Sequence, residues 1–383
     1  MYLALYRKYR PTNFDAVIGQ DHIVKTLQNQ IKLDKISHAY LFCGSRGTGK
    51  TSTAKIFAKA INCENPINGS PCGNCETCNS LDGTNIDVLE IDAASNNGVD
   101  EIRELREKVK YPPVVGKYKV YIIDEVHMLS PSAFNALLKT LEEPPKHVVF
   151  VLATTEVHKL PATILSRCLR FDFKLVSIDD LSSLLKNVLK TEGVEYDDMS
   201  INAIARAGEG SVRDTLSIAD RCVSFAGDKL TYQKTLDVLG ISERDVLIKI
   251  ADKIFEKDVG GALVELNGVL STGKSPLVLS NDLISYFRDL ILIYTLKEKS
   301  KEIVVVREDD FEKMQAQALS QGDGSRYSDM LKTVEILSEI EQDLRYGVKP
   351  RIVLETAIIK IISEVSVQSR LEKLENLVKD FPS

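Results

Sequence analysis

A glycine-rich segment at residues 44–51 constrains the fold of this 383-residue chain more than any other feature. It reads Gly-Ser-Arg-Gly-Thr-Gly-Lys-Thr, the G-x-x-x-x-G-K-T pattern of a phosphate-binding loop, and lies between an apolar run at 40–42 and a helical stretch at 52–61. Glycines let the backbone bend so that N–H groups face phosphates, and the helix start adds a favourable dipole. A chance glycine turn would lack these flanks, so we expect a nucleotide phosphate site. Its predicted ligands are Gly44, Ser45, Arg46, Gly47, Thr48, Gly49, Lys50, Thr51 and Ser52.

Two carboxylates at the end of another apolar run complete the predicted site. Residues 120–123 read Val-Tyr-Ile-Ile, and Asp124 and Glu125 follow directly. Lys50 would supply charge to the β- and γ-phosphates of ATP, while Thr51 and Asp124 would hold Mg²⁺. Glu125 would orient or deprotonate the attacking water. An acidic pair is common at strand ends on protein surfaces, but its position downstream of a phosphate loop favours a role in hydrolysis.

The pattern of apolar runs divides the chain into three parts. Residues 1–176 alternate between short apolar runs, typical of buried parallel strands, and helical stretches, which predicts a doubly wound α/β domain of the P-loop NTPase class. Residues 177–240 predict a small helical domain, and residues 243–383 predict a larger all-α domain of amphipathic helices. The predicted strands lie at 39–42, 88–91, 120–123 and 148–153.

A few local signals predict where helices begin and end. Ser-Pro at 130–131 is typical of a helix start, and Pro-Pro at 144–145 ends the same helix. In the last domain, Pro276 and the Gly-Asp-Gly-Ser segment at 322–325 predict breaks between helices. Apolar residues at helical spacing within 371–381 predict a final helix.

Charge and hydropathy exclude some classes of protein. The formal net charge of −6 argues against a protein that coats DNA through bulk charge, although it leaves room for a few local phosphate contacts. The sequence shows no apolar run of about 18 residues, so we expect no membrane partner. The first residues lack the basic-then-apolar order of a signal peptide, and we therefore expect a cytoplasmic protein.

Four of the seven cysteines cluster in one segment, at Cys63, Cys72, Cys75 and Cys78. Four thiolates suit a tetrahedral Zn²⁺ site, and nearby glycines suit the turns around a metal. Disulfides conflict with a reducing cytoplasm, and a redox role for the C-x-x-C pair lacks a thioredoxin-like surrounding pattern. Because a four-cysteine site has no open position for a substrate, we interpret the predicted zinc as structural.

Six short motifs spread along the chain resemble those of one protein family. They are Tyr-Arg-Lys-Tyr-Arg-Pro at 6–11, Val-Ile-Gly-Gln at 17–20, Asp-Glu-Val-His-Met-Leu-Ser at 124–130, Asn-Ala-Leu-Leu-Lys-Thr-Leu-Glu-Glu-Pro-Pro at 135–145, Leu-Ala-Thr-Thr at 152–155 and Leu-Ser-Arg-Cys at 165–168. Together they resemble the clamp-loader branch of AAA+ ATPases, and within it the gamma/tau subunit family of bacterial DNA polymerase III. The resemblance implies an AAA+ domain with a zinc module, a helical lid domain and a C-terminal helical collar for oligomerisation.

The same resemblance implies further site residues. Thr155 would be the first sensor of the γ-phosphate, with Thr154 as the alternative position. Arg213 would be a second sensor, and Arg167 would be an arginine finger acting on ATP bound by a neighbouring subunit. An ion pair without a chemical role remains the alternative for each arginine. The residues implied for the adenine pocket are Tyr9, Arg10, Pro11, Val17 and Ile18.

By resemblance the chain would be an ATPase that opens a sliding clamp and loads it on primed DNA within the polymerase holoenzyme. Its implied partners are the delta and delta-prime subunits, further copies of itself, the clamp, and primer–template DNA bound through its backbone at the nucleoid. Helicase and polymerase would bind through regions found beyond this segment in longer relatives. A helix near residues 97–100 with Arg103 and Arg106 is a candidate DNA contact, and a solvated charged helix is its alternative.

Other functions fit less well. A non-hydrolysing structural subunit of the same assembly would have a degenerate phosphate loop, whereas Lys50, Thr51, Asp124 and Glu125 are intact. A branch-migration helicase of a related AAA+ type should carry a C-terminal winged helix instead of a long helical bundle. A polymerase active site is not expected, because the sequence offers neither a third carboxylate nor a palm-like sheet.

Overall fold

The computed structural model describes residues 2–80, 86–239, 244–304, 306, 308–320 and 325–363. They divide into two compact units, Met1–Thr235 and Leu236–Ser383. The predicted fold class is confirmed: a parallel α/β domain is followed by a helical lid and by an all-α region. None of the described helices is both long and apolar enough to cross a membrane.

The first unit contains a five-stranded parallel sheet with the order β2-β3-β4-β1-β5. The strands are β1 Ala39–Cys43, β2 Val88–Asp92, β3 Lys119–Asp124, β4 Val148–Thr154 and β5 Leu169–Asp172. The helices around them are α1 Leu5–Lys8, α2 Asp21–Lys32, α3 Lys50–Asn62, α4 Glu76–Ser80, α5 Val99–Val109, α6 Pro131–Glu142 and α7 Ala162–Leu165. Parallel strands need such crossovers, and ligands of these sheets bind outside the carboxyl ends of the strands.

Alternate residues of the central strands pack on opposite faces of the sheet. On one face Tyr40 and Phe42 of β1 pack with Phe57 of α3, and on the other Leu41 packs with Leu137 of α6. All of β1 and β4 is buried, as their continuous apolar runs predict. The two cores hold the carboxyl ends of β1, β3 and β4 at one edge of the sheet.

The edge strands depart from the sequence predictions. The expectation that residues 88–91 form a buried strand is wrong as to burial, because β2 lies at the sheet edge and each of its residues is at least partly exposed. Strand β5 at the other edge was not predicted, since Arg170 and Asp172 interrupt its apolar character. Helix α6 follows its predicted signals: Ser130 accepts the N–H of Ala133 as its N-cap, and the helix ends at Glu142.

The lid region contains three helices and one short strand pair. Helices α8 Ile178–Glu192, α9 Asp198–Ala207 and α10 Val212–Ala226 begin at the N-caps Ser177, Asp197 and Ser211. Strands β6 Glu195–Tyr196 and β7 Lys229–Leu230 pair in parallel, which corrects the expectation that strands end before residue 177. Helix α11 Tyr232–Leu239 follows.

All regular secondary structure among the described residues of the second unit is helical. Its helices are α12 Arg244–Phe255, α13 Val259–Ser271, α14 Pro276–Leu296, α15 Glu308–Leu319, α16 Ser325–Glu339, α17 Glu341–Tyr346 and α18 at 350–363. The central α14 contributes Leu283, Phe287 and Leu290 to one apolar core. Pro276 separates two helices as predicted, at the first position of α14. The predicted helix at 371–381 and most of the break at 322–325 lie outside the described residues.

Candidate nucleotide-binding site

The glycine-rich loop joins β1 to α3 at the carboxyl edge of the sheet. Gly44, Gly47 and Gly49 have φ values of +143°, +75° and +100°, a region that side chains disfavour. A Cβ on Gly44 would lie 2.5 Å from the carbonyl oxygen of Phe173, so a larger residue does not fit there. The turn therefore presents the N-terminus of α3, which begins at Lys50, toward the space above the sheet.

Lys50 places a buried positive charge at the centre of this loop. Its Nζ donates to the carbonyl oxygens of Gly44 at 2.7 Å and Ser45 at 2.8 Å, and the residue is 6% exposed. Burial lowers the pKa of the lysine, while the carboxylates of Glu125 and Asp124 act in the opposite direction. The ammonium group thus lies within the field of both acidic residues predicted from the sequence.

Thr51 and Asp124, predicted as the magnesium ligands, are in direct contact. The Oγ1 of Thr51 donates to Oδ2 of Asp124 at 2.6 Å. Asp124 is the last residue of β3, and strand register places it beside Asp92 of β2. A hydroxyl and a carboxylate at this spacing provide two oxygen ligands of the kind that Mg²⁺ prefers.

Glu125 follows in a left-handed backbone conformation, with φ of +46°. Its Oε2 accepts a hydrogen bond from the Oγ1 of Thr155 at 3.1 Å. The adjacent Thr154 is fully buried, and its Oγ1 instead accepts the backbone N–H of Glu156 at 3.0 Å. Of the two threonines predicted as alternatives, Thr155 is the one that reaches the acidic residue.

The N-terminal segment and the lid enclose a cleft of about 670 Å³ above the loop. Most of the predicted residues line it. These are Tyr9, Arg10, Pro11, Val17, Ile18, Arg46, Gly47, Thr48, Gly49, Lys50, Thr51, Ser52, Asp124, Glu125 and Arg213. Gly44 and Ser45 lie behind Lys50, while Thr155 reaches the cleft through Glu125.

Several lining residues were not among the predicted site residues. Tyr6 and Arg7 belong to the motif at 6–11, while the others lie outside the six motifs: Ala16, Lys55, Glu90, Leu184, Val212 and Leu216. Lys55 forms an ion pair with Glu90 of β2. The guanidinium of Arg213 lies 5.3 Å from the centre of the Tyr6 ring, a cation–π geometry. The motif at 6–11 was the available signal for both Tyr6 and Arg7.

The lid is tied to both the loop and the N-terminal segment. The N–H of Val212, at the start of α10, donates to the carbonyl of Gly47 at 3.0 Å. On the other side, Glu192 of α8 pairs with Lys8 at 2.7 Å and accepts a hydrogen bond from Tyr9. Loss of solvation, and then this carboxylate, raises the pKa of Tyr9 to about 12. These contacts bring Arg213 of the lid to the cleft.

Arg167, the predicted arginine finger, lies away from the cleft of its own chain. Its guanidinium pairs with Glu142 at 2.9 Å and donates to the carbonyl of Thr163 at 2.9 Å. Its side chain is one-third exposed, at 33%. The structure therefore does not bring Arg167 together with Lys50 or Glu125 within one molecule.

The four clustered cysteines meet in space. Their sulfur atoms all lie within 4.8 Å of one another, with Cys63–Cys75 at 4.0 Å and Cys72–Cys78 at 3.9 Å. Zn–S bonds of about 2.3 Å in a tetrahedron imply sulfur separations of about 3.8 Å. The N–H groups of Asn74 and Cys75 lower the pKa of Cys72 to about 6, whereas burial raises the pKa of Cys63 and of Cys78. The donor set therefore fits the Cys₄ site predicted from the spacing.

The candidate DNA contacts lie on the exposed face of α5. Arg103 pairs with Asp100 at 2.9 Å, and Arg106 lies 3.9 Å from Glu107. Each arginine thus has a carboxylate neighbour on its own helix. This arrangement suits the solvated-helix interpretation as well as a phosphate contact.

Models of three protein families match consecutive parts of the chain. Residues 19–177 match the model described as DNA polymerase III, delta subunit. Residues 180–228 match DNA polymerase III clamp loader subunit, ATPase lid domain. Residues 230–377 match DNA polymerase III subunits gamma and tau domain III.

Relatives with high identity extend along most of the chain. It is 47% identical over 362 residues to DNA polymerase III subunit tau of Bacillus subtilis (strain 168), covering 94% of this chain and 63% of that protein. It is 37% identical to subunit gamma/tau of Mycobacterium tuberculosis (strain ATCC 25618 / H37Rv), covering 97% of this chain and 66% of that protein. It is 37% identical to subunit gamma of Buchnera aphidicola subsp. Acyrthosiphon pisum (strain APS), covering 95% of this chain and 99% of that protein. The chain thus spans less than two thirds of the first relative's length and nearly all of the last. The chain covers 99% of a relative to which it is 37% identical, and residues 230–377 match the gamma and tau domain. The chain therefore belongs to the gamma/tau subunit family of DNA polymerase III.

Proposed function

We propose that this chain is an ATP-hydrolysing motor subunit of the clamp loader of DNA polymerase III. The observation that carries the proposal is the meeting of Lys50, Thr51, Asp124 and Glu125 at the base of one cleft. A non-hydrolysing structural subunit would not need this set of polar and charged groups, each of which has a role in phosphoryl transfer.

The cleft divides into a phosphate end and a base end. The glycine-rich loop and Lys50 would bind the β- and γ-phosphates, and the N-terminal residues Tyr9–Pro11 with Val17 and Ile18 would enclose the adenine. Thr51 and Asp124 would hold Mg²⁺, which neutralises charge on the phosphates when bound. Glu125 would take the proton of the attacking water, and Thr155 would hold that carboxylate in place.

Two arginines would respond to the γ-phosphate from different sides. Arg213 reaches the cleft from the lid of the same chain. Arg167 is remote from its own cleft, so we propose that it acts on ATP held by a neighbouring subunit, after release from Glu142. Hydrolysis removes the γ-phosphate and so removes its contacts with both arginines. ATP and ADP would therefore stabilise different arrangements of the subunits.

The assembly supported by this scheme contains other clamp-loader subunits, further copies of this chain, the sliding clamp and primed DNA. The assembly would contact the phosphate backbone of the DNA and would act at the nucleoid in the cytoplasm. The helical second unit would serve as the oligomerisation collar. The cysteine cluster would hold a structural Zn²⁺ ion.

The test of the motor role is the rate of ATP hydrolysis with and without the clamp, primed DNA and the other loader subunits. We expect weak turnover by the chain alone and strong stimulation by the complete mixture. Turnover that does not change on addition of these components would contradict the proposal.

A further inference from the structure

His127 is buried next to the cleft and has no role in the scheme above. It lies in the short turn Val126–Met128 after β3, with a side chain 6% exposed. Its Nδ1 is 3.0 Å from the Oγ1 of Thr154 and 3.4 Å from Oε2 of Glu125. Its Nε2 is 3.0 Å from Oε2 of Glu156. The imidazole therefore contacts groups that follow both β3 and β4.

The hydrogen bonds around the ring are consistent with one neutral tautomer. With the proton on Nε2, His127 donates to Glu156 and its Nδ1 accepts the hydroxyl proton of Thr154. The Oγ1 of Thr154 in turn accepts the backbone N–H of Glu156. Each polar group of this small network then has a partner, as buried polar groups require.

This network lies on the backbone that carries the two groups closest to the proposed chemistry. Glu125 is two residues before His127, and Thr155 lies between Thr154 and Glu156, the residues that the imidazole contacts. The Glu125–Thr155 hydrogen bond of 3.1 Å spans the same gap between the strand ends. The imidazole thus forms a second, buried bridge beside it. In the neutral tautomer Nδ1 makes no hydrogen bond to Glu125, so the ring acts through the strand ends and not directly on the carboxylate.

We propose that His127 is a positioning residue that fixes the Glu125 carboxylate relative to Thr155 by bridging the ends of β3 and β4. The inference rests on the proposed hydrolysis, in which Glu125 activates water. Misplacement of a catalytic group by about 1 Å can cost on the order of 100-fold in rate. Loss of the bridge should therefore lower kcat about 10- to 100-fold, while nucleotide affinity, which depends on the loop and Lys50, stays within about two-fold.

The experiment compares His127→Leu, His127→Gln and His158→Leu with the wild type in the assembled loader. Leucine keeps apolar bulk but removes both ring nitrogens, and glutamine keeps one donor for Glu156. We expect a large fall in kcat for His127→Leu, a smaller one for His127→Gln and none for His158→Leu. His158 is the matched control, because it also faces Glu156, at 3.9 Å, but its side chain is 74% exposed.

A double-mutant cycle with Thr155→Val separates positioning from general stability. If both residues act on the same carboxylate, the loss in the double variant will not exceed that of the worse single variant by more than about two-fold. Multiplied losses, or a kcat for His127→Leu within about two-fold of the wild type, would overturn the inference. Should His127→Leu fail to fold, the cycle is run with His127→Gln, with the same criteria.

The same assay distinguishes this inference from the motor proposal. If the Glu125→Gln variant hydrolyses ATP at the wild-type rate, the proposed function itself is wrong. Turnover that requires Glu125 but is insensitive to His127 would remove the positioning role alone.

Discussion

At the scale of single residues, the positive charge of Lys50 links the glycine-rich loop electrostatically to Asp124 and Glu125. The ammonium group is buried, contacts two carbonyl oxygens of the loop and lies in the field of two carboxylates. Burial of a charge is costly unless it is paired, so this arrangement is suited to a ligand that brings negative charge. The charge, more than the aliphatic chain, is expected to determine nucleotide affinity.

Replacing Lys50 with alanine tests that expectation. Charge-assisted contacts to phosphate are worth about 3 kcal/mol, so we expect ATP to bind about 100-fold or more weakly to Lys50→Ala, as measured by calorimetry. The fold should survive, since the hydrogen bonds of the ammonium group go only to the loop carbonyls of Gly44 and Ser45. Lys32→Ala, at the exposed end of α2, is the control and should bind like the wild type. Undiminished affinity in Lys50→Ala would contradict the assigned site.

Sequence predicted those site residues that lie inside motifs and missed those that meet them through folding. Lys50 and Thr51 are next to one another in the chain, and Asp124 ends a strand, so the rules for phosphate loops locate all three. Glu90 and Leu184 line the cleft but carry no such signal. Their positions depend on packing between segments distant in sequence, which periodicity does not report.

At the scale of elements, the contact between the glycine-rich loop and α10 couples the lid to the cleft. The carbonyl of Gly47 accepts the N–H of Val212, and the two segments approach so closely that a Cβ on Gly47 would lie 1.9 Å from the Oγ of Ser211. A side chain at this position would displace the Ser211 hydroxyl, which caps α10, and would press on the Cβ atoms of Ser211 at 3.1 Å and Arg213 at 3.3 Å. The lid carries Arg213, so its displacement would also move that arginine.

We therefore expect Gly47→Ala to weaken ATP binding and to lower the melting temperature. Gly193→Ala is the matched control, because Gly193 has a similar φ of +72° but nothing within 4 Å of its Cβ position. Both variants carry backbone strain of about 1–2 kcal/mol, while Gly47→Ala adds steric overlap. Equal ATP affinities in the two variants would show that the loop–lid contact has no effect on the cleft.

The cysteine module is a second element whose chemistry can be measured. Because its four sulfur atoms already lie within 4.8 Å of one another, we expect about one zinc ion per chain by elemental analysis. Cys75→Ser should lose most of the metal and melt at a lower temperature. Cys222→Ala, a buried cysteine of α10, should keep it. A metal-free wild type purified without chelators would argue against the zinc assignment.

The central strands were predicted fully and the edge strands only in part, for a physical reason. Strands β1, β3 and β4 are covered on both faces, so their sequences are continuously apolar. Strand β5 forms an exposed edge of the sheet, and β6 and β7 have two residues each. None of these three strands therefore has a continuous apolar run in its sequence. Their formation depends on neighbours already in place.

At the scale of the whole molecule, one chain does not complete the proposed catalytic centre. Lys50, Asp124, Glu125 and Arg213 share a cleft, while Arg167 is held elsewhere by Glu142. If Arg167 stabilises the transition state, it has to come from an adjacent copy or another subunit. Hydrolysis would then require assembly, and the rate would report the geometry between subunits.

Mixing two inactive variants in the reconstituted loader tests this claim most directly. Arg167→Ala keeps its own cleft but offers no finger, whereas Glu125→Gln lacks the base but still offers Arg167. We expect each variant alone to hydrolyse ATP at least about ten-fold more slowly than the wild type, because an arginine finger is worth a large factor in rate. The mixture should recover a substantial part of the activity, since some clefts then receive both groups. A mixture no more active than its separate components would contradict catalysis shared between neighbouring subunits.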